Sequence, residues 1–320
     1  MLEINKIHNM DCLEAMKEID ENSIDCIIAD PPYNVGIDEW DKIEDYEHFC
    51  IEWIEQSIRI LKPNKAFWIF SNQHNVTTIN FILNKISSAK FRNWIVWNKG
   101  TGIPTANSFT NNHEQILYYI KQPDNIILKE FGNYLKSKRE KLNLSLKEVG
   151  NLCDEKWYHR GGHLYFETGL SKPNPSQYGK LKEVLNLDNR FDKWFNNGFV
   201  FNLEKVGIKW KYEKDKRNKR GWKNCGDVWN IPQLSGTFKE RINHPCQKPI
   251  KLIERMIKVS TNNNDVVLDL FSGTGTTSLV CKKLGRNFIG FENDEEWYNV
   301  SLNRLLSQPE RLENWVEISC

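Results

Sequence analysis

Val266-Val267-Leu268-Asp269-Leu270-Phe271-Ser272-Gly273-Thr274-Gly275-Thr276-Thr277 reads as a strand, a glycine turn and the start of a helix. A helix over Thr277 to Leu284 and a second strand over Asn287 to Phe291 follow, and Glu292 comes next, 23 residues after Asp269. This is the βαβ layout of nucleotide-binding sheets, in which an acidic residue ending the second strand can take ribose hydroxyls. Ser278 stands where a third glycine is expected in loops that cradle a diphosphate. A Gly-x-Gly turn alone is a weak signal, so its meaning depends on the rest of the chain.

Near the other end, the apolar run Ile24 to Ala29 leads directly into Asp30-Pro31-Pro32-Tyr33. The β-branched run reads as a short buried strand of a parallel sheet, which puts Asp30 at the strand's carboxyl end, where open α/β sheets bind ligands. The Asp30 carboxylate and the Pro31 carbonyl, held by two fixed φ angles, can accept the two hydrogens of an exocyclic amine. Tyr33 can stack on the attached ring. The same tetrapeptide also reads as a plain turn after a strand.

Taken together, the two motifs resemble those of the amino-methyltransferases of DNA. Asp30 precedes Asp269 by about 240 residues, and this order resembles the beta class of adenine-N6 and cytosine-N4 DNA methyltransferases, in which the recognition region lies between the motifs. The resemblance implies a mixed, mostly parallel α/β sheet of the Rossmann-like methyltransferase type in circularly permuted order, with the strands of Asp30 and Asp269 as neighbours. It implies S-adenosyl-L-methionine as cofactor, which needs no diphosphate cradle, and direct in-line attack by an amine on a base flipped out of duplex DNA. Asp30, Pro31, Pro32 and Tyr33 then carry the chemistry. Asp269, Phe271, Ser272, Gly273, Gly275, Thr276, Thr277 and Glu292 form the cofactor loop and its ribose acceptor. Asp11 and Cys12 lie near the cofactor's adenine, although Asp11 also reads as a helix N-cap. His244-Pro245-Cys246-Gln247-Lys248-Pro249 is similar to the family's His-Pro-x-Gln-Lys-Pro element, and Lys248 can meet the cofactor's carboxylate. Trp97, Lys99 and His113-Glu114 sit where the family often has a Trp-x-Lys and a His-Glu around a loop facing the extruded base. Adenine N6 is favoured over cytosine N4 because the family's cytosine enzymes more often carry Ser in place of the Asp. Double-stranded DNA is the implied partner, and a cognate restriction endonuclease or a homodimer is compatible with it.

Charge distribution points the same way. Residues 121 to 248 hold 26 Lys and Arg against 15 Asp and Glu, a net of +11, whereas the rest of the chain nets −9. A basic middle in an acidic scaffold suits a polyanion-binding insert, although a solvated basic surface has the same composition. Eight cysteines contain no Cys-x-x-Cys pair and keep no metal-ligand spacing with the seven histidines, so reduced thiols and no metal are expected. No apolar run approaches the roughly 20 residues of a membrane span. With no secretory signal at the start, a cytoplasmic address is expected.

The α/β alternation continues through a polar loop from Asn34 to Asp45, expected to be mobile, then a helix ending before Lys62-Pro63. A strand over Ala66 to Ser71, a helix over Val76 to Ile86 and strands over Asn93 to Trp97 and Glu114 to Ile120 follow. It breaks after Ile120. Tyr134 to Leu187 carries two short helical patterns, Tyr134 to Glu140 and Leu144 to Val149 with Ser145 as N-cap, then Pro175 to Leu185. Their order resembles phage-repressor helix-turn-helix domains, although Gly161-Gly162 falls where a recognition helix would run. An unrelated helical insert fits the same pattern. Arg139 and Lys141 are expected at phosphates, and His159 and Arg160 near base edges. Lys216, Arg217 and Arg220 belong to the basic run Lys211 to Lys223, which can follow phosphates or lie solvated. Three regions result: 1–120 with the reactive motif, 121–243 for target recognition, and 244–320 for the cofactor, with a closing helix over Trp297 to Leu305 and no reading for 308–320.

Overall fold

A computed structural model describes residues 2–100, 102, 109–123, 125–153, 166–168, 173–195, 208–209, 222–223, 226–236, 238–242 and 244–307. His159, Arg160, Gly161, Gly162, Lys216, Arg217 and Arg220 lie outside that set.

The amino-terminal part builds β1 (Lys6–Asn9), α1 (Cys12–Lys17), β2 (Ile24–Ala29), α2 (Tyr46–Ile60), β3 (Leu61–Ser71), α3 (Val76–Lys85), β4 (Ala89–Asn98) and β5 (His113–Lys121). A helical unit follows, comprising α4 (Asn125–Lys141), α5 (Leu146–Cys153), α6 (Pro175–Leu185) and α7 (Asp192–Phe195). The chain returns to the sheet through a two-residue ribbon, β6 (Ile208–Lys209) and β7 (Trp222–Lys223), then β8 (Val228–Asn230), α8 (Ile250–Ser260), β9 (Val266–Asp269), α9 (Thr276–Leu284), β10 (Asn287–Glu292) and α10 (Glu295–Leu306).

Eight strands form one sheet in the order β1-β10-β9-β2-β3-β5-β4-β8. Of these only β5 runs against its two neighbours, while every other pairing is parallel. The expected adjacency holds, because Cys26, Ile27 and Ile28 of β2 pair with Val267, Leu268 and Asp269 of β9. Every residue of β2 is buried, as an apolar run between two parallel neighbours requires. Alternation sends Ile27, Phe67 and Ile69 into a core with Trp53 of α2 and Ile79 of α3. Cys26, Ile28, Trp68 and Phe70 enter the opposite core, with Ile253, Met256 and Ile257 of α8 and Val280 of α9. Helices thus cover both faces, and all their packing leaves the strands' carboxyl ends free for loops.

Three departures from the sequence reading have physical causes. β3 begins at Leu61 rather than Ala66 because Lys62 to Lys65 bulge out of register, with Asn64 in the left-handed region at φ 63°. The bulge lets Lys62 and Lys65 reach the buried Asp25 at 2.8 and 3.0 Å. Secondly, β1 and β8 are strands of four and three residues, too short to show a period. Thirdly, the loop 34–45 is organised rather than slack. Buried Asp41 accepts the backbone N–H groups of Asn34, Val35, Gly36 and Ile37 at 2.8, 2.8, 2.8 and 3.3 Å.

The helical unit has its own core of Phe131, Leu135, Val149, Tyr178, Leu181, Phe191 and Phe195 among others. Ser145 caps α5 as expected: its Oγ accepts the Glu148 N–H at 3.2 Å while the Glu148 carboxylate accepts the Ser145 N–H at 2.7 Å. Arg139, expected at DNA phosphates, is engaged within the helical unit. Its guanidinium grips Glu167 with Nε and Nη2 at 2.7 and 3.1 Å and donates to the Leu144 carbonyl at 2.9 Å. This fork and the carbonyl bond hold the guanidinium inside the helical unit. Lys141, one turn end later, is exposed.

Candidate active site

The carboxyl ends of β2, β9 and β10 open into a cavity of about 320 Å³. Pairing β2 with β9 brings the two motifs together, and the cavity wall includes Asp30, Pro31, Pro32 and Tyr33 as well as Asp269, Phe271, Ser272, Gly273, Thr276 and Thr277. Asp11, Cys12, Lys248 and Glu292 line it too. Gly275 does not. It caps α9 at φ 70°, where an added Cβ would meet Ser301 Cβ at 3.0 Å and Ile7 Cδ1 at 3.1 Å, so a close approach between α9, α10 and β1 explains it.

Each wall residue is held by local geometry. Asp11 caps α1, accepting the Leu13 N–H at 2.8 Å and the Glu14 N–H at 3.3 Å, and it also lines the cavity. Glu292 accepts the Gly273 N–H at 2.6 Å through Oε2 and the Asp294 N–H at 3.0 Å through Oε1. Burial raises its carboxyl above the ordinary range against those backbone donors. Asp269 accepts the Phe271 N–H at 3.2 Å. Burial, with Asp30 and Glu292 adding repulsion, pushes the Asp269 carboxyl up to about 7 despite hydrogen bonds from Thr277 and Phe271.

At the other end of the cavity, Asp30 lies in a charged cluster. Lys248 Nζ is 2.6 Å from Asp30 Oδ2, and the Tyr33 hydroxyl donates toward Asp30 Oδ1 at 3.1 Å. Lys248 is therefore paired with Asp30 while lining the cavity. Glu114, entering from the start of β5, comes within 3.2 Å of the same Tyr33 hydroxyl and 3.5 Å of Lys248 Nζ, and its other oxygen meets Lys99 Nζ at 3.2 Å. Burial raises the Asp30 carboxyl above its ordinary value, with Glu114 adding to the rise and Lys248 opposing it. Glu114 goes the other way: burial is outweighed by the Lys248 and Lys99 ammoniums, which hold its carboxyl below the ordinary range. The tetrapeptide is anchored behind by Asn75 Nδ2, which donates to the Tyr33 carbonyl at 2.6 Å.

Sequence reasoning missed an aromatic wall. Trp40 stacks on His244 with ring centroids 6.3 Å apart, and Trp297 meets the same imidazole edge-on at 4.3 Å. His244 Nδ1 accepts the Cys246 N–H at 3.1 Å, and burial with the nearby Lys248 pushes its pKa down to about 4, so the ring is neutral. The three residues come from separate loops and helices, and no local pattern joins them. Trp97, in contrast, is core: its indole N–H donates to the Ile231 carbonyl at 2.7 Å. His113 is half-buried at the start of β5, beside Asn112, and is absent from the cavity wall.

The wall's chemistry fits a cationic ligand with a diol better than a dinucleotide. It contains Asp11, Asp30, Asp41, Asp269, Glu292 and Asp294 against one ammonium, Lys248, which is already paired. Ser272 Oγ is buried against Gly290 of β10 with no hydrogen-bond partner among the described residues. Gly273, at φ 48°, leaves open space toward the His244 ring that a side chain would fill. Among the described residues no group of His, Cys, Asp and Glu side chains is arranged to hold a metal ion.

A family model for DNA methylases matches residues 24–303. The chain belongs to the DNA methylase family. The S-adenosylmethionine cofactor goes with that membership, and the acid-rich wall accommodates its sulfonium and ammonium charges. Among relatives, the Type II methyltransferase M1.MboII of Moraxella bovis is 29% identical over 324 aligned residues, covering 97% of this chain and 99% of that protein. The Type II methyltransferase M.HpaI of Haemophilus parainfluenzae is 29% identical, covering 92% and 72%. Solved DNA methylases share the fold. The crystal structure of an M1.HpyAVI–SAM complex has a TM-score of 0.55 at 22% identity, covering 94% of this chain and 98% of that one. The cytosine-N4-specific PvuII DNA methyltransferase has a TM-score of 0.59 at 14% identity, covering 95% and 88%.

Proposed function

We propose that this DNA methylase modifies the exocyclic N6 of adenine in double-stranded DNA, after the base has left the stack. The observation that carries the reading is the placement of Asp30 at the end of β2, in one cavity with Asp269, Ser272 and Glu292 at the ends of the two neighbouring strands. S-adenosylmethionine supplies an electrophilic methyl group carried on a sulfonium.

Every other part is supplied by the chain. Asp30 accepts one amine hydrogen and the Pro31 carbonyl the other, which withdraws the nitrogen lone pair from ring conjugation and aims it outward. The Tyr33 ring offers a stacking face, and the adjoining Phe70 and Lys248 close the site behind it. Raised by burial, Asp30 can also hold the proton the amine sheds once the new N–C bond has formed. Glu292 and Asp11 orient ribose and adenine, and Phe271 packs against the sheet edge beside them. Residues 121–243 supply target recognition, with Lys141, His159, Arg160, Lys216, Arg217 and Arg220 as contacts to DNA.

Incubation with tritiated S-adenosylmethionine and duplex DNA of mixed sequence, followed by digestion to nucleosides, tests this. Label in N6-methyl-2′-deoxyadenosine is the expected result. Label in N4-methyl-2′-deoxycytidine would reassign the base, and DNA binding without label would make the protein a repressor whose second domain senses a nucleotide.

A further inference from the structure

Each oxygen of Asp30 already accepts one hydrogen bond. Lys248 donates to Oδ2 at 2.6 Å and the Tyr33 hydroxyl to Oδ1 at 3.1 Å, so an arriving amine must share an oxygen with a standing donor. Each of those two donors has a second acceptor within reach, and it is the same atom: Glu114 Oε2 lies 3.2 Å from the Tyr33 hydroxyl and 3.5 Å from Lys248 Nζ. The Tyr33 hydroxyl has one hydrogen and faces two carboxylate oxygens, so it can donate to only one of them at a time. Lys99, at 3.2 Å from Oε1, fixes Glu114 from the far side. Side chains of Asp30, Glu114, Lys99 and Lys248 are 20, 17, 16 and 8% exposed, so water is a poor substitute for any of these partners.

We propose that Glu114 is a positioning residue that draws Lys248 and Tyr33 toward itself when the target amine enters, freeing Asp30 to accept the one amine hydrogen that falls to it. The inference rests on the proposed amine methylation at Asp30. Shifts of well under 1 Å bring both contacts into the 2.7 to 3.2 Å hydrogen-bond range, so no backbone movement is needed. The exchange conserves charge pairing, since Lys248 leaves one carboxylate for another. Once Lys248 has moved, its ammonium stabilises the Asp30 carboxylate less, and Asp30 becomes a stronger proton acceptor, which suits the moment at which the amine sheds its proton. Groups facing Asp30 come from four directions: Tyr33 on its own loop, Glu114 on β5, Lys248 and Cys246 ahead of α8, and Asp269 on β9. Glu114 repels the Asp30 charge and Lys248 attracts it. Removing the Glu114 charge therefore moves the acidic limb of activity in a known direction.

Glu114→Gln keeps the side chain's size and an acceptor oxygen but loses the charge. Single-turnover methyl transfer to duplex DNA is followed across pH, with S-adenosylmethionine affinity measured by calorimetry on the same protein. The variant should bind the cofactor within about twofold of wild type and methylate about 10²-fold more slowly, the loss typical of one misplaced transition-state contact. The acidic limb of its rate profile should move to lower pH. A rate within about threefold of wild type with an unmoved limb would overturn the proposal. Should Glu114→Gln fail to fold, Lys99→Met reports instead, because it frees Oε1 while leaving Oε2 in place. A slowing of about tenfold at unchanged cofactor affinity is expected there, and a wild-type rate would equally overturn the proposal. Wild-type protein that labels no DNA, or Asp30→Ala that labels it normally, would instead defeat the amine-methylation reading itself.

Discussion

Asp30 and Asp269 end neighbouring strands, and burial raises both carboxyls, yet the two residues lead to different experiments. Asp30 faces the reacting amine, so Asp30→Ala should cut methyl transfer by roughly 10² to 10³ or more while calorimetric cofactor affinity stays near wild type. Near-normal methylation would remove it from the chemistry. Asp269 has its effect through stability. Its carboxyl moves from an ordinary 3.8 to about 7, so the folded state holds a proton that the unfolded chain has released over that interval. Stability therefore falls as pH rises from about 4 to about 7, and levels off above. Asp269→Asn cannot ionise, and urea denaturation of the two proteins should show the wild type losing ground across that window; parallel curves would show the shift to be absent. Glu292→Ala should weaken S-adenosylmethionine binding by about 1 to 3 kcal/mol, because a charged acceptor is lost and the Gly273 and Asp294 N–H groups lose their anchor with it. Unchanged affinity in a calorimetric titration would take Glu292 out of the site.

At the scale of elements, Arg139 shows what a sequence can hide. Its place near the end of a basic amphipathic helix reads as a phosphate contact, but the fork to Glu167 ties α4 to a residue 28 positions on, inside the helical unit. Arg139→Ala strands the Glu167 carboxylate in a nearly buried setting, at a cost of about 2 to 4 kcal/mol to that unit. Thermal unfolding should show the loss, whereas the salt dependence of DNA binding should keep its slope; a flattened slope with unchanged melting would restore the phosphate role. The same contrast explains which elements were legible. The strand, glycine turn, helix and strand over 266–292, the buried run before Asp30 and the helix Pro175–Leu185 are each specified by residues adjacent in sequence, and each lies where local pattern puts it. β1 and β8 exist only because long partners offer edges to pair with. The Asp41 anchor and the Trp40–His244–Trp297 wall depend on where distant loops meet, as does the turning of Lys248 toward Asp30, and nothing in the neighbouring residues encodes such meetings.

On the whole molecule, packing sets the helical unit apart, while charge is spread more widely. Among the described residues neither core of the sheet contains a residue between Ile120 and Trp229, and the helical unit closes a third core around Phe131, Tyr178, Phe191 and Phe195. Residues 121–248 net +11 against −9 for the rest of the chain, but the helical unit, 125–195, holds 13 Lys and Arg against 9 Asp and Glu, a net of +4, so most of the field that attracts a polyanion belongs to 196–248, at +7. Among the described residues the unit meets the sheet where α7 packs on β3: Asn64 donates to the Trp194 carbonyl at 3.3 Å, and Lys121 Nζ lies 6.0 Å from the Trp194 ring. Because Phe131, Phe191 and Phe195 share one core, the removable piece is the whole span 125–195 and not only 134–187. Replacing it with a short flexible linker should leave the sheet folded and S-adenosylmethionine binding intact, since neither large core loses a side chain. Affinity for DNA should drop for all sequences, with the slope of log affinity against log salt falling by roughly one unit for each phosphate contact removed. Long-read sequencing of DNA from cells expressing the shortened protein then reports which sites remain methylated. Loss or relaxation of the site places specificity in the helical unit; an unchanged site would move it to the basic run Lys211 to Lys223 and the loops that flank β4 and β5.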